Sequence, residues 1–146
     1  MSGSKERPTI LIADDDEAIR TLFTEILGAD YYQTVQAEDG EEAMELLENG
    51  EFDLVLLDAM MPRRSGFAVC RAVKANADTR LIPVVLVTSL TSSEDRMQGI
   101  ESGADDFINK PVNRDELLAR VRSLLKIKQF TDELELEAMA QHSTVL

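Results

Sequence analysis

Short apolar runs alternate with longer amphipathic stretches along most of this sequence. The apolar runs have the length of buried strands, and the stretches between them repeat apolar residues at helical spacing. Such alternation is typical of βα units wound around a parallel sheet. We count five units, with predicted strands at 9–13, 33–36, 54–57, 83–87 and 106–109.

A helix is predicted after each strand, at about 17–28, 41–48, 66–75 and 92–102, with a long final helix beginning after residue 113. Gly28 is expected to end the first helix, and Ser65 and Asn113 are expected to cap the third and the last. The third strand is apolar on both faces. It is therefore predicted to lie in the centre of the sheet, with helices covering both sides.

The length of 146 residues accommodates one compact domain with its own core. We expect a flexible N-terminal arm over residues 1–8 and an α/β domain over residues 9–127. A C-terminal helical extension or linker is expected over residues 128–146. The first residues carry no apolar segment behind their charges, so they are not read as a signal peptide.

Charge and rare residues exclude several classes of function. The net charge of −13 disfavours nucleic acid and anionic membranes as partners of this domain, because phosphate contacts need clustered Lys and Arg. With Cys70 as the only cysteine and His142 as the only histidine, neither a disulfide nor a His/Cys metal site can form within the chain. The same scarcity excludes nucleophilic triads that depend on histidine. A cytoplasmic location is expected, since a lone cysteine fits a reducing compartment.

Polar residues follow four of the predicted strands. Asp14 and Asp15 follow the first strand, Asp58 the third, Thr88 the fourth and Lys110 the fifth. The carboxyl ends of parallel strands form the crevice where α/β sheets bind ligands. Three carboxylates there repel one another unless a cation neutralises them, and Mg²⁺ prefers such oxygen ligands. The pattern predicts a magnesium site beside a carboxylate nucleophile, with Lys110 and Thr88 placed to bind a phosphoryl group.

These residues resemble the response regulator receiver family of two-component signalling, with a match from about 9 to 125. The motifs that carry the resemblance are Asp14-Asp15, Asp58, Met61-Pro62, Gly66, Thr88 and Lys110-Pro111. It implies a flavodoxin-like, doubly wound sheet of five parallel strands in the order 2-1-3-4-5. A sensor histidine kinase or a phosphotransfer protein would be the donor.

The resemblance also assigns roles to individual residues. Asp58 would be the phosphoacceptor, and Asp14, Asp15, Asp58 and the backbone carbonyl of Met60 would hold Mg²⁺. Thr88 and Lys110 would bind phosphoryl oxygens, Thr88 and Phe107 would form the conformational switch, and the Lys110–Pro111 bond would be cis. The third acid, Asp16, is expected to cap the first helix instead of binding metal.

The last helix continues its apolar pattern beyond the part that a single domain needs. Its apolar and small residues recur at alternating spacings of three and four, as in a coiled-coil seam: Leu124, Ile127, Thr131, Leu134 and Ala138. This predicts either a solvated tail or a signalling helix that supports a homodimer and leads to an output domain missing from this chain. The stretch 114–134 is also similar to linkers of receivers fused to cyclic-di-GMP enzymes, with the HD-GYP type nearest.

Two other functions are compatible with an acid after a strand. One is an aspartyl-phosphate phosphatase of the haloacid dehalogenase class, which uses an Asp-x-Asp motif after its first strand and carries a cap domain. Here Glu17 follows Asp16, and no cap is present. The other is a receiver-like scaffold that is never phosphorylated, although the acids and the lysine are all retained. The chain is expected not to be an enzyme beyond its own phosphorylation and dephosphorylation.

Overall fold

The computed structural model describes residues 7–89 and 93–145. Strands and helices alternate five times: β1 (Thr9–Ala13), α1 (Glu17–Ala29), β2 (Gln33–Ala37), α2 (Gly40–Asn49), β3 (Leu54–Asp58), α3 (Gly66–Ala75), β4 (Val84–Thr88), α4 (Ser93–Glu101), β5 (Asp106–Asn109) and α5 (Arg114–Val145). The five βα units expected from the sequence are therefore present.

All strands pair in parallel in the order β2-β1-β3-β4-β5. The chain winds outward from β1 to β2, then crosses back to β3 and continues to β5 at the other edge. The strand order thus reverses between β1 and β3. The predicted doubly wound fold is confirmed, and its crevice lies beyond the ends of these two strands.

Both faces of the sheet are covered. On one face, residues of β1, β3 and β4 pack against the apolar sides of α2 and α3; on the other, they pack against α1 and α5. Every residue of β3 is buried, as its continuous apolar sequence predicts. Cys70 is fully buried on α3, and its thiol donates to the Ser102 carbonyl at 3.3 Å.

The ends of some elements differ from the prediction by one residue. Asp58 and Thr88 are the last residues of β3 and β4, whereas the apolar pattern ends one residue earlier. The first helix continues through Gly28 to Ala29, and Tyr31 adopts the left-handed conformation, with φ of 76°. Gly28 was therefore the wrong stop signal. The predicted start of the fourth helix at residue 92 lies outside the described residues.

Three predicted helix caps are present. The Asp16 carboxylate accepts from the Ala18 N–H at 2.9 Å, so this third acid begins α1 as expected. The Ser65 hydroxyl caps α3, and the Asn113 side chain accepts from the Glu116 N–H at 2.9 Å at the start of α5. These caps fix the loops that precede each helix.

Helix α5 is one continuous element of 32 residues. Its first turns bury Leu117, Leu118 and Val121 against the sheet, and the residues beyond Leu125 are mostly exposed. The helix is continuous across the expected boundary between residues 127 and 128. Among the described residues, no helix combines the length and the apolarity that a membrane span requires.

Candidate functional site

The structure brings the predicted acids together at the point where the strand order reverses. Asp14 follows β1 directly, Asp58 ends β3, and Asp15 lies beside Asp14. Each of the three offers a carboxylate oxygen, and these oxygens lie within 4.8 Å of one another. Lys110 reaches the same place from the end of β5. Parallel strands place their carboxyl ends at one edge, so residues distant in sequence meet here.

Asp14 is the most buried member of the cluster, with 1% of the residue exposed. Its Oδ1 accepts from the Asp16 N–H at 2.9 Å, while its Oδ2 has no hydrogen-bond partner among the described residues. The Lys110 Nζ lies 3.6 Å from that oxygen. Burial raises the pKa of Asp14 above its ordinary value, although the Asp16 N–H and Lys110 oppose the rise. A buried carboxylate oxygen without a donor leaves a position for a cation.

Asp58 is also buried, with 7% exposed. Burial, followed by the charge of Asp14, raises the pKa of Asp58. Its Oδ1 lies 3.4 Å from the Lys110 Nζ and 3.4 Å from the Met60 N–H. Burial alone would lower the pKa of Lys110, but the charges of Asp58 and Asp14 outweigh it and the net shift is upward. Lys110 therefore stays charged and neutralises only part of the site.

The donor set fits Mg²⁺. The cluster offers only oxygens, and Mg²⁺ binds carboxylates readily while keeping several waters for other ligands. The unpartnered oxygen of Asp14 supports the same conclusion. The Met60 side chain points to solvent and its N–H points to Asp58, so a ligand role for its carbonyl stays a prediction.

Thr88 and Phe107 line one cavity of about 510 Å³ between the ends of β4 and β5 and helix α4. The Thr88 carbonyl accepts from the Lys110 N–H at 2.9 Å, which joins the two strand ends. The Phe107 ring is half-buried against Gly99: a Cβ added at Gly99 would lie 2.7 Å from a ring carbon. The switch role of Thr88 and Phe107 stays a prediction, although both face the same space.

The loop between β3 and α3 is held at several points. Met61 is buried in the core, and the Gly66 N–H donates to the Ala59 carbonyl at 3.0 Å. Arg63 pairs with Asp39 at 3.1 Å, which ties the loop to the start of α2. The Lys110–Pro111 bond is cis, as the resemblance implies.

Sequence reasoning missed one residue of this region. Arg20 on α1 is buried, and its Nη1 donates to the Asp14 carbonyl at 2.7 Å. An arginine within an amphipathic helix is normally assigned to the solvent side, so the apolar pattern gave no signal. Only its position six residues after the first acid would have shown that it is close to the site.

The pKa of Asp58 has a measurable consequence for stability. Because the folded-state pKa lies above the ordinary value of 3.8, the folded protein loses stability as pH rises through the range above 3.8. An Asn side chain cannot ionise, so Asp58→Asn should raise the free energy of unfolding near pH 7.5 by about 1 kcal/mol. The gain should shrink towards pH 4. Urea unfolding in metal-free buffer at pH 4.5 and 7.5 measures both, and a gain independent of pH would contradict this origin.

The sheet order, together with acids and a lysine at its reversal point, defines a CheY-like receiver fold. The chain belongs to the family of response regulator receiver domains, whose profile it matches over residues 10–122. Its function at that level is the one expected from the sequence, a receiver domain of two-component response regulators. No finding favours a phosphatase of the haloacid dehalogenase class.

Several proteins of known identity are similar to this chain. It is 48% identical over 125 residues to the response regulator PleD of Caulobacter vibrioides, covering 86% of this chain and 28% of that protein. It is 41% identical over 139 residues to the DNA-binding dual master transcriptional regulator RpaA of Synechocystis, covering 95% of this chain and 56% of that protein. The chain therefore spans between about a quarter and just over half of these curated relatives.

A solved structure of a receiver domain has the same fold. The signal receiver domain of a signal transduction histidine kinase from Syntrophus aciditrophicus superposes with a TM-score of 0.79 at 38% identity, covering 82% of this chain and 90% of that chain.

Proposed function

We propose that Asp58 is the phosphoacceptor of this receiver and that Mg²⁺ binds beside it through Asp14, Asp15, Asp58 and the Met60 carbonyl. The observation that carries the proposal is the cluster itself: three carboxylates within 4.8 Å, two of them buried, with one lysine ammonium 3.4 Å from Asp58. A cluster of this kind with only a structural role would destabilise the fold, because the repulsion between its carboxylates would not be offset. A receiver needs these carboxylates, because the cation that they bind offsets the negative charge of the phosphoryl oxygens during transfer.

The chemistry follows from the placement of the side chains. An Asp58 carboxylate oxygen attacks the phosphorus, the bond from phosphorus to the donor nitrogen breaks, and the donor histidine leaves in its neutral form after proton uptake. The Lys110 ammonium and the Thr88 hydroxyl bind the phosphoryl oxygens. Mg²⁺ supplies the remaining positive charge for those oxygens. The donor would be a sensor histidine kinase or a phosphotransfer protein, and the chain would catalyse only its own phosphorylation and dephosphorylation.

A small phosphodonor tests this proposal without a kinase. Incubation with acetyl phosphate and Mg²⁺ should add one phosphoryl group by intact mass, because the acyl P–O bond replaces the phosphohistidine bond as the one that breaks. Chelation of Mg²⁺ with EDTA should abolish the gain. A protein that stays unmodified under both conditions would be a scaffold receiver, whereas turnover of p-nitrophenyl phosphate would support the phosphatase.

The proposal extends to the rest of the assembly. Residues 9–127 form the receiver, residues 128–146 form an extension, and an output domain outside this chain receives the signal. The arm at 1–8 lies mostly outside the described residues, as does the side chain of His142. Neither nucleic acid nor membrane is proposed as a partner, given the net charge of −13, and the proposed location is the cytoplasm. Similarity of residues 114–134 to linkers of receivers fused to cyclic-di-GMP enzymes, with the HD-GYP type nearest, stays a prediction.

The exposed part of α5 beyond Leu125 carries a surface suited to a second copy of the chain. Ile127, Phe130 and Leu134 are exposed on one face of the helix. Leu124, which the sequence placed on the same seam, instead packs partly against the sheet, and Phe130 was not expected there. A homodimer buries the same patch from both subunits, so a self-complementary apolar face is what it requires. We propose that two extensions pair in parallel through this face.

One pair of variants tests the dimer. Phe130→Glu should keep the protein monomeric when beryllofluoride mimics the phosphoryl group, raising the dimer dissociation constant at least tenfold, because two buried charges would face each other. Light scattering after size exclusion measures this. Leu136→Glu is the matched control: Leu136 is 66% exposed on the same helix, nine residues after Ile127 and therefore on the opposite side, so this variant should dimerise like the wild type. Equal behaviour of the two variants would contradict the proposed face.

A further inference from the structure

Arg20 is buried in an unusual way for an arginine. Only 9% of it is exposed, and none of the ion pairs among the described residues includes it. Its hydrogen bonds go to neutral oxygens: Nη1 donates to the Asp14 carbonyl at 2.7 Å, and Nε donates to the Gln36 side-chain carbonyl at 3.1 Å. Burying a guanidinium without a direct carboxylate partner is unfavourable, so we expect Arg20 to have a role that compensates this cost.

The hydrogen bond from Arg20 to the Asp14 carbonyl indicates that role. Strand β1 ends at Ala13, so the Asp14 carbonyl lies beyond the regular part of the strand. The Asp14 N–H donates to the Ala37 carbonyl at 3.1 Å, and the guanidinium of Arg20 donates to the Asp14 carbonyl. Both backbone polar groups of Asp14 are thereby held. Gln36, at the end of β2, in turn holds Arg20 in place.

The carboxylate of Asp14 depends on this backbone. Its Oδ1 is fixed by the Asp16 N–H, and its Oδ2 is free of hydrogen bonds within the described residues and is turned towards Lys110. A rotation of the Asp14 peptide would move Oδ2 relative to the other two carboxylates. Groups that orient ligands without touching the metal typically change affinity by about 10- to 100-fold when removed.

We propose that Arg20 is a positioning residue for the acidic cluster: by holding the Asp14 carbonyl it sets the direction of the Asp14 carboxylate and thereby the affinity for a divalent cation. Gln36 supports Arg20 in this role. The inference rests on the proposed function, because it assumes that the cluster binds Mg²⁺. It adds a residue that contacts neither the cation nor the phosphoryl group.

Calorimetric titration of the full chain with Mg²⁺ alone tests the inference. Arg20→Gln should raise the dissociation constant for Mg²⁺ about tenfold or more. The rate of phosphorylation by acetyl phosphate at saturating Mg²⁺ should change less than threefold, because Asp58, Lys110 and Thr88 are untouched. Arg20→Lys, which keeps a charged donor, should recover part of the lost affinity.

Controls separate a positioning role from a structural one. Arg122→Gln removes a bidentate pair with Asp30 on the exposed side of α5, and it should leave the Mg²⁺ affinity unchanged. If Arg20→Gln lowers the melting temperature but leaves the Mg²⁺ affinity at the wild-type value, Arg20 only stabilises the fold and the inference is wrong. If that variant does not fold, Gln36→Ala decides: a weaker Mg²⁺ affinity supports the role, and an unchanged one overturns it.

The same titration separates this inference from the proposed function. A wild-type chain that binds no Mg²⁺ and gains no phosphoryl group would refute the function, and the inference with it. A wild type that binds and is modified normally, beside an Arg20→Gln variant of equal affinity, would refute the inference alone.

Discussion

Asp58→Asn is expected to abolish phosphorylation of the chain. The buried carboxylate of Asp58 is the nucleophile in the proposed mechanism, and an amide oxygen in the same place is a far weaker nucleophile at phosphorus. With acetyl phosphate and Mg²⁺, the intact mass of the variant should stay unmodified, and we expect a loss of at least about 100-fold in rate. The variant should remain folded, because Asn fills the same volume and no longer carries a charge.

Asp16→Asn is the matched control for this result. Asp16 lies close to the cluster in sequence, but its side chain caps α1 and is outside the group of three carboxylates. Asn is as good a cap as Asp, so helix α1 should be unaffected. The variant should gain a phosphoryl group at the wild-type rate. Phosphorylation of Asp58→Asn at a comparable rate would show that another acid is the acceptor.

The fold was predictable because its strands are chemically simple. Strand β3 is apolar at every position before Asp58, and that pattern is typical of a central strand in a parallel sheet covered on both faces. The ends of strands were less predictable: Asp58 and Thr88 are polar, yet their backbones still pair with the neighbouring strands. Gly28 was misread as a stop, because a glycine tolerated inside a helix and one that ends it look alike in a sequence.

The sequence predicted which residues form the cluster, but it did not predict the residue that holds the cluster in place. Asp14, Asp58 and Lys110 each follow or end a strand, and the topology alone brings them together. The contact between Arg20 and the Asp14 carbonyl depends on how α1 packs over the sheet. Phe130 on the exposed face of α5 was missed for a related reason. Apolar spacing does not show at which residue the helix extends beyond the sheet.

Gly66 at the start of α3 links the fold to the site through sterics. A Cβ built at Gly66 collides with the Asp58 carbonyl oxygen and lies 2.9 Å from the Ala59 Cα. Both obstacles are backbone atoms, so no side-chain rotation relieves the overlap. The loop that follows β3 closes on α3 at this point through the hydrogen bond from the Gly66 N–H to the Ala59 carbonyl. Any side chain here must push the backbone of Asp58 out of position.

Gly66→Ala is therefore expected to damage stability and phosphorylation together. Overpacking of this kind should lower the free energy of unfolding by about 2–3 kcal/mol, measured by urea denaturation. Displacement of Asp58 should slow phosphorylation by acetyl phosphate at least tenfold, since a misplacement of about 1 Å can cost up to 100-fold in rate.

Gly28→Ala provides the opposite expectation for the same chemical change. A Cβ at Gly28 meets nothing within 4 Å, and the residue lies within α1 without a positive φ. The methyl group should stabilise the helix by about 0.5–1 kcal/mol and leave the phosphorylation rate unchanged. If both alanine variants unfold at the wild-type urea concentration, the close approach of α3 to Asp58 does not constrain the site. If only Gly66→Ala is destabilised and slowed, the packing of α3 against the end of β3 sets the position of the nucleophile.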